Sequence, residues 1–185
     1  MRVRLILPAL LVAALIALTA CGSGQYGGAA AKPAANNAAA DKAAAGRTVT
    51  VPGSLKFTGT TLDGKAFDGA SMAGRPVVLW FWAPWCATCA GEASTVSGIA
   101  DEYKGKLDVL GVAGMGPEND MHTFVTEEEV GNITHLSDNA GVVWKRFGIT
   151  QQSLYVLIDR TGAVVSKGWM DNQQLPEQVA KLAAT

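Results

Sequence analysis

The run Val77-Val78-Leu79-Trp80-Phe81-Trp82 contains no polar position. A strand wetted on one side alternates, whereas this one reads as a central strand covered on both faces. Beyond Val49, short β-rich runs alternate with helical stretches, which predicts an α/β layer architecture in residues 51–185. Leu55 to Thr61 and Lys65 to Phe67, joined through Asp63-Gly64, predict an N-terminal hairpin. Cys86 to Lys104 reads as a helix, Leu107 to Ala113 as the next strand, and Pro117 to Val130 as a helix opened by proline, with Glu118 and Asp120 in its first turn. Met121, Phe124 and Val125 form its inward side. A short strand follows near Ile133 to Leu136, and Asp138 caps a helix running through Phe147. Leu154 to Ile158 and Ala163 to Trp169 predict a second hairpin, and a last helix from about Leu175 puts Val179 and Leu182 on one side.

The first fifty residues follow another pattern. Arg2 and Arg4 precede an apolar run from Leu5 to Ala17, and Leu18-Thr19-Ala20-Cys21 follows, the layout of an export signal over residues 1–21. The tetrapeptide resembles a bacterial lipobox, which implies Cys21 as a lipidated N-terminus of the mature chain. A transmembrane anchor needs about 20 apolar residues, and Pro8 interrupts a run already shorter than that. Residues 22–50 are dominated by Gly, Ala, Asn and Lys, too few apolar side chains to offset ordering entropy, and are expected to be a flexible tether.

Charge and composition are less informative. The chain has 185 residues and a net charge of -1, which points to neither nucleic acid nor an anionic membrane surface. Its 49% apolar content is inflated by the alanines of the first fifty residues.

Candidate chemistry concentrates in Trp85-Cys86-Ala87-Thr88-Cys89, placed directly after the buried strand and at the start of a helix. Residues three apart share a helix face, so the two sulfurs can close a small ring with little backbone movement. Unpaired backbone N–H groups and the helix dipole favour a thiolate at Cys86. Cys86 is therefore the expected exposed nucleophile and Cys89 the resolving thiol one turn deeper. A purely structural bridge explains the pair poorly, because so short a loop removes little chain entropy. Zinc would need four ligands, and only His122 and His135 are available to join the cysteines, so no metal is expected; each histidine reads as a surface or sheet-edge residue. Pro84 and Trp85 offer rigid and aromatic surface for docking an extended peptide. Cys89, Glu92, Val96, Ile99 and Tyr103 step by three and four, which puts Glu92 on an inward stripe where burial raises a carboxylate's pKa and lets it shuttle the Cys89 proton. A solvated glutamate in the first turns of a helix is the competing reading, and periodicity leaves both open.

The segment Phe81 to Cys89 is similar to the active site of the thioredoxin superfamily. The hairpin, the export segment and the glutamate three residues after Cys89 resemble the exported TlpA/ResA-like branch. Phe81 to Glu92, Gly111 to Gly114 and Phe147 to Gln152 resemble the DsbF/DsbE-type lipoproteins of actinobacteria. The resemblance implies a thioredoxin-like three-layer sandwich with a mixed sheet, disulfide exchange with exported protein thiols or disulfides, a membrane redox partner, no organic cofactor and a monomer held on the outer face of the membrane by lipid. Exchange in the reducing direction, toward apocytochrome c or other thiols, uses the same residues. A peroxiredoxin-like enzyme would want an arginine near Cys86, and a copper-delivery protein three residues between the cysteines and a histidine later than His135; the sequence has neither.

Two positions depart from the family. Ser153 stands where the family has a cis-proline, in a loop with Gln152 that by resemblance binds the substrate backbone as an added strand. A cis bond before a non-proline residue costs about 3 kcal/mol, so the Gln152–Ser153 bond is expected to be trans, or else strained. Ser94 replaces the family's helix proline, which predicts a straighter helix with its chemistry intact.

Overall fold

The computed structural model describes residues 50–184. The expected export segment with Cys21, and the tether apart from Thr50, lie outside the described residues. Five strands make one mixed sheet in the order β5-β4-β3-β6-β7: β3 (Val77–Trp82), β4 (Asp108–Ala113), β5 (Thr134–Ser137), β6 (Leu154–Ile158) and β7 (Val164–Gly168). β3 pairs in parallel with β4 and antiparallel with β6, so it is the central strand its composition predicts. A separate antiparallel pair, β1 (Thr58–Thr60) and β2 (Ala66–Asp68), forms the N-terminal hairpin. The helices are α1 (Ala87–Glu102), α2 (Glu118–Glu127), α3 (Val142–Arg146) and α4 (Gln174–Ala183).

All six residues of β3 are buried because the sheet is covered twice. Val78, Trp80 and Trp82 point into one core with Cys89, Val96 and Ile99 of α1, Phe124 of α2 and Val179 of α4. Val77, Leu79 and Phe81 point into the other, with Leu55, Met72 and the α3 residues Val143 and Trp144. Period-two side chains thus serve two apolar layers at once. This is the thioredoxin-like three-layer arrangement, with the hairpin as an N-terminal extension.

Several boundaries differ from the sequence expectation. Leu55 ends a 3₁₀ turn, Gly53–Leu55, and is not part of the hairpin strand. α2 stops at Glu127, three residues early, because Glu129 takes a left-handed conformation with φ of 54°. Asp138 caps the following helix as expected, its carboxylate accepting from the N–H groups of Val142 at 2.8 Å and Trp144 at 2.9 Å. That helix begins only at Val142, however, since Gly141 sits at φ 66° and breaks the run. The Gln152–Ser153 peptide is cis, against the expected trans; the Ser153 hydroxyl is anchored between Trp80 and Glu92.

His135 stands on the edge strand β5 but is buried, not at the surface. Trp82 Nε1 donates to its Nδ1 at 3.1 Å, which leaves Nε2–H to donate to the Val130 carbonyl at 3.0 Å. Burial lowers its pKa from 6.5 to about 4, so the ring is neutral in the native state. The unfolded chain binds this proton from about pH 6.5 downward, and the native chain only near 4. Stability present above pH 6.5 is therefore lost as the pH falls through that window, by about 3 kcal/mol. Urea unfolding at pH 7.5 and pH 4.5 should show the wild type losing more stability on acidification than His135→Gln; identical losses would clear His135 of the role.

Candidate functional site

β3 ends at Trp82, and Ala83-Pro84-Trp85 turn the chain into α1. The turn closes through Cys86 N–H to the Ala83 carbonyl at 3.1 Å. Cys86 is the N-cap of α1, in extended backbone (φ -87°, ψ 104°), and its sulfur accepts the Cys89 N–H at 3.0 Å. A helix N-terminus leaves its first N–H groups without intrahelical partners, and here the sulfur of Cys86 takes one of them. The same donor stabilises a thiolate when the bridge is reduced. Cys86 and Cys89 are disulfide-bonded, with their Cα atoms 5.2 Å apart.

The expected contrast in exposure holds only in rank. Cys89 is fully buried, but Cys86 is itself just 7% exposed instead of standing free in solvent. Together with Trp85, Ala90 and Phe124 it lines a cavity of about 350 Å³ between the start of α1 and α2. Pro84 and Phe124 give that cavity apolar surface, while Asp120, Glu127 and Glu128 make one wall anionic. Trp85 is 58% exposed, and its indole N–H donates to the Met115 carbonyl at 2.6 Å, so the ring is presented to solvent in a fixed pose. Pro84 packs on Gly116 so closely that a Cβ there would lie 2.4 Å from Pro84 Cγ, which explains glycine at that position.

Glu92 lies one turn below Cys89, only 4% exposed, which decides between the two readings of its periodicity in favour of the inward stripe. Its burial is met by three donors. Tyr155 Oη donates to Oε2 at 2.8 Å, the Ser153 hydroxyl donates to the same oxygen, and Trp169 Nε1 donates to Oε1 at 3.0 Å. Burial, and then the charge of Glu92, push the Tyr155 phenol far above its ordinary pKa, so it remains a donor to the carboxylate. Ser153 is buried and turns its side chain inward to Glu92, while Gln152 is half-buried. β6 pairs Leu154 with Phe81, which sets Ser153 beside the end of β3, where the chain leaves for the cysteines.

Tyr155 and Trp169 are site residues that the sequence reading misses. Tyr155 carried a weak signal: it is the second residue of the strand that begins directly after Ser153. Trp169 carried none, because it follows β7 and reaches Glu92 only through the folded chain. The histidines do not join the cysteines, His122 being exposed on α2 and His135 engaged with Trp82. Among the described residues no group of three or more His, Cys, Asp or Glu is placed to hold a metal ion.

The model of the AhpC/TSA family matches residues 53–168. The soluble secreted antigen MPT53 of Mycobacterium tuberculosis is 37% identical over 142 residues, covering 75% of this chain and 81% of that protein. The thiol-disulfide oxidoreductase ResA of Bacillus thuringiensis is 26% identical over 129 residues, covering 68% of this chain and 74% of its own length. Among solved structures, MTB DsbF, determined in mixed oxidized and reduced forms, superposes with a TM-score of 0.68 at 43% identity, covering 72% of this chain and 99% of that one.

Proposed function

The chain belongs to the AhpC/TSA family and is a thiol–disulfide oxidoreductase of the ResA and DsbF type, and from that premise we propose that Cys86 and Cys89 are its redox pair and that exported proteins are its substrates. The observation that carries this reading is the Cys86–Cys89 bridge at the start of α1, with one sulfur at a cavity and the other sealed in the core.

In the oxidising direction a substrate thiolate attacks Cys86, the Cys86–Cys89 bond breaks, and Cys89 leaves with the electron pair and takes up a proton. A second substrate thiolate then attacks the mixed disulfide, forming the substrate disulfide and releasing Cys86 as thiolate. The reducing direction runs these steps backward: Cys86 attacks a substrate disulfide, and Cys89 gives up its proton and displaces the product. Glu92 accepts or returns that proton. The exposed face of Trp85, with Pro84 behind it, and the backbone at Gln152 and Ser153 hold the substrate segment in place. The likeness to DsbF favours oxidation of exported chains, with a membrane redox partner renewing the bridge.

The proposed location is the outer face of the cell membrane, with Cys21 lipidated, residues 1–21 as the export segment, 22–50 as the tether and 51–185 as the catalytic domain. The secreted relative and the Leu18-Thr19-Ala20-Cys21 motif support it. Insulin reduction by dithiothreitol tests the activity: the wild type should accelerate chain precipitation, and Cys86→Ser should leave only the background rate. Equal rates from the two would refute the assignment of the pair.

A further inference from the structure

We infer that Ser153 is a positioning residue that acts through Glu92, its hydroxyl tying the loop beside the cysteines to the carboxylate that handles the Cys89 proton. The direction of its hydrogen bonds is fixed by its neighbours. Trp80 Nε1 has only a proton to give and donates to Ser153 Oγ at 3.3 Å, so the serine's own hydrogen goes to Glu92 Oε2. A carboxylate offers about four acceptor positions. Ser153 and Tyr155 take both positions on Oε2, and Trp169 takes one on Oε1. A proton reaching this carboxylate therefore finds its one open acceptor position on Oε1. Proline at 153 has no hydroxyl and would leave Oε2 with a single donor and the buried Trp80 N–H with none.

The groups around the carboxylate leave few competitors for this proton. β6 contributes Tyr155, whose phenol stays protonated; β3 and the segment after β7 contribute Trp80 and Trp169, which do not ionise. α4 adds apolar Leu175 and Val179 to the same core, and α1 itself adds Cys89.

This inference rests on the proposed exchange mechanism, and the test separates the two. The reduced protein is mixed with excess dithiobis-nitrobenzoate and followed by stopped-flow absorbance. A first thionitrobenzoate is released when Cys86 attacks the reagent. A second is released when Cys89 passes its proton to Glu92, bonds to the Cys86 sulfur and displaces the thionitrobenzoate, which leaves with the electron pair. The pH profile of this second release is the readout. Loss of a donor makes a carboxylate hold its proton to higher pH. In Ser153→Ala and Ser153→Pro the acid limb should therefore move to higher pH, with the second release several-fold slower on that limb. Ser153→Thr, which keeps a hydroxyl, should restore the wild-type limb. Superposition of the Ser153→Ala and wild-type profiles would overturn the inference while leaving the redox pair intact. Absence of a second release from the wild type would instead overturn the mechanism beneath it. Where Ser153→Ala gives no folded protein, the threonine and proline variants decide, and coincident profiles for those two overturn the inference equally.

Discussion

Serine at position 89 is expected to leave the protein able to capture a substrate and unable to release it. With Cys86 in its place at the helix N-terminus, the first displacement proceeds, since the N–H that its sulfur accepts is a backbone group that Cys89→Ser retains. No second sulfur then lies one turn away to attack the mixed disulfide. Turnover of a disulfide peptide should fall to background, and mass spectrometry under non-reducing conditions should find one peptide joined to Cys86. The extent of the loss follows from chemistry: a hydroxyl is a far poorer nucleophile toward sulfur than a thiolate. Adduct on no cysteine, or turnover close to wild type, would exclude Cys89 as the resolving group.

Glu92→Gln is expected to have the next largest effect, and on a different step. The amide keeps the shape of the carboxylate but cannot take a proton, so removal of the Cys89 proton loses its acceptor. General-base contributions of this kind are worth on the order of 100-fold or more, and the resolving step should slow by that much while capture by Cys86 stays fast. The substitution also creates a conflict: if the amide oxygen serves Ser153 and Tyr155, its NH₂ faces the Trp169 N–H, donor against donor. Trp169 should therefore become more mobile, visible as a change in tryptophan fluorescence. Rapid-quench measurement of the two steps separates them, and an unchanged resolving rate would remove Glu92 from the mechanism.

Much of this site was legible in the sequence because its determinants are local. An unbroken apolar hexapeptide marked β3, and the strand-to-helix context of the two cysteines placed them at a helix N-terminus. A stripe of three and four steps offered Glu92 as inward or solvated, and only its burial in the fold decides for the inward place. What the sequence concealed depends on contacts between distant segments. Cys86 is nearly covered, and the cavity it lines is shared with Phe124 on α2, 38 positions further along the chain. The donors to Glu92 come from β6 and from the residue after β7, and no periodicity relates them to α1. His135 is buried at a sheet edge because Trp82 hydrogen-bonds it across β4, whose Gly111 leaves the room: a Cβ there would lie 2.1 Å from His135 Nδ1. The early end of α2 and the late start of α3 each follow from one left-handed residue, Glu129 and Gly141. Glycine at 141 carried a weak signal for this, and glutamate at 129 none.

The most direct test equilibrates the protein in glutathione buffers of graded potential, quenches with a thiol-alkylating reagent and counts modified cysteines by mass. The expected result is one two-electron transition between the Cys86–Cys89 disulfide and the dithiol, at a potential in the range of about -120 to -270 mV spanned by catalytic dithiols. A bridge that stays closed to below about -300 mV, as structural disulfides do, would contradict the account.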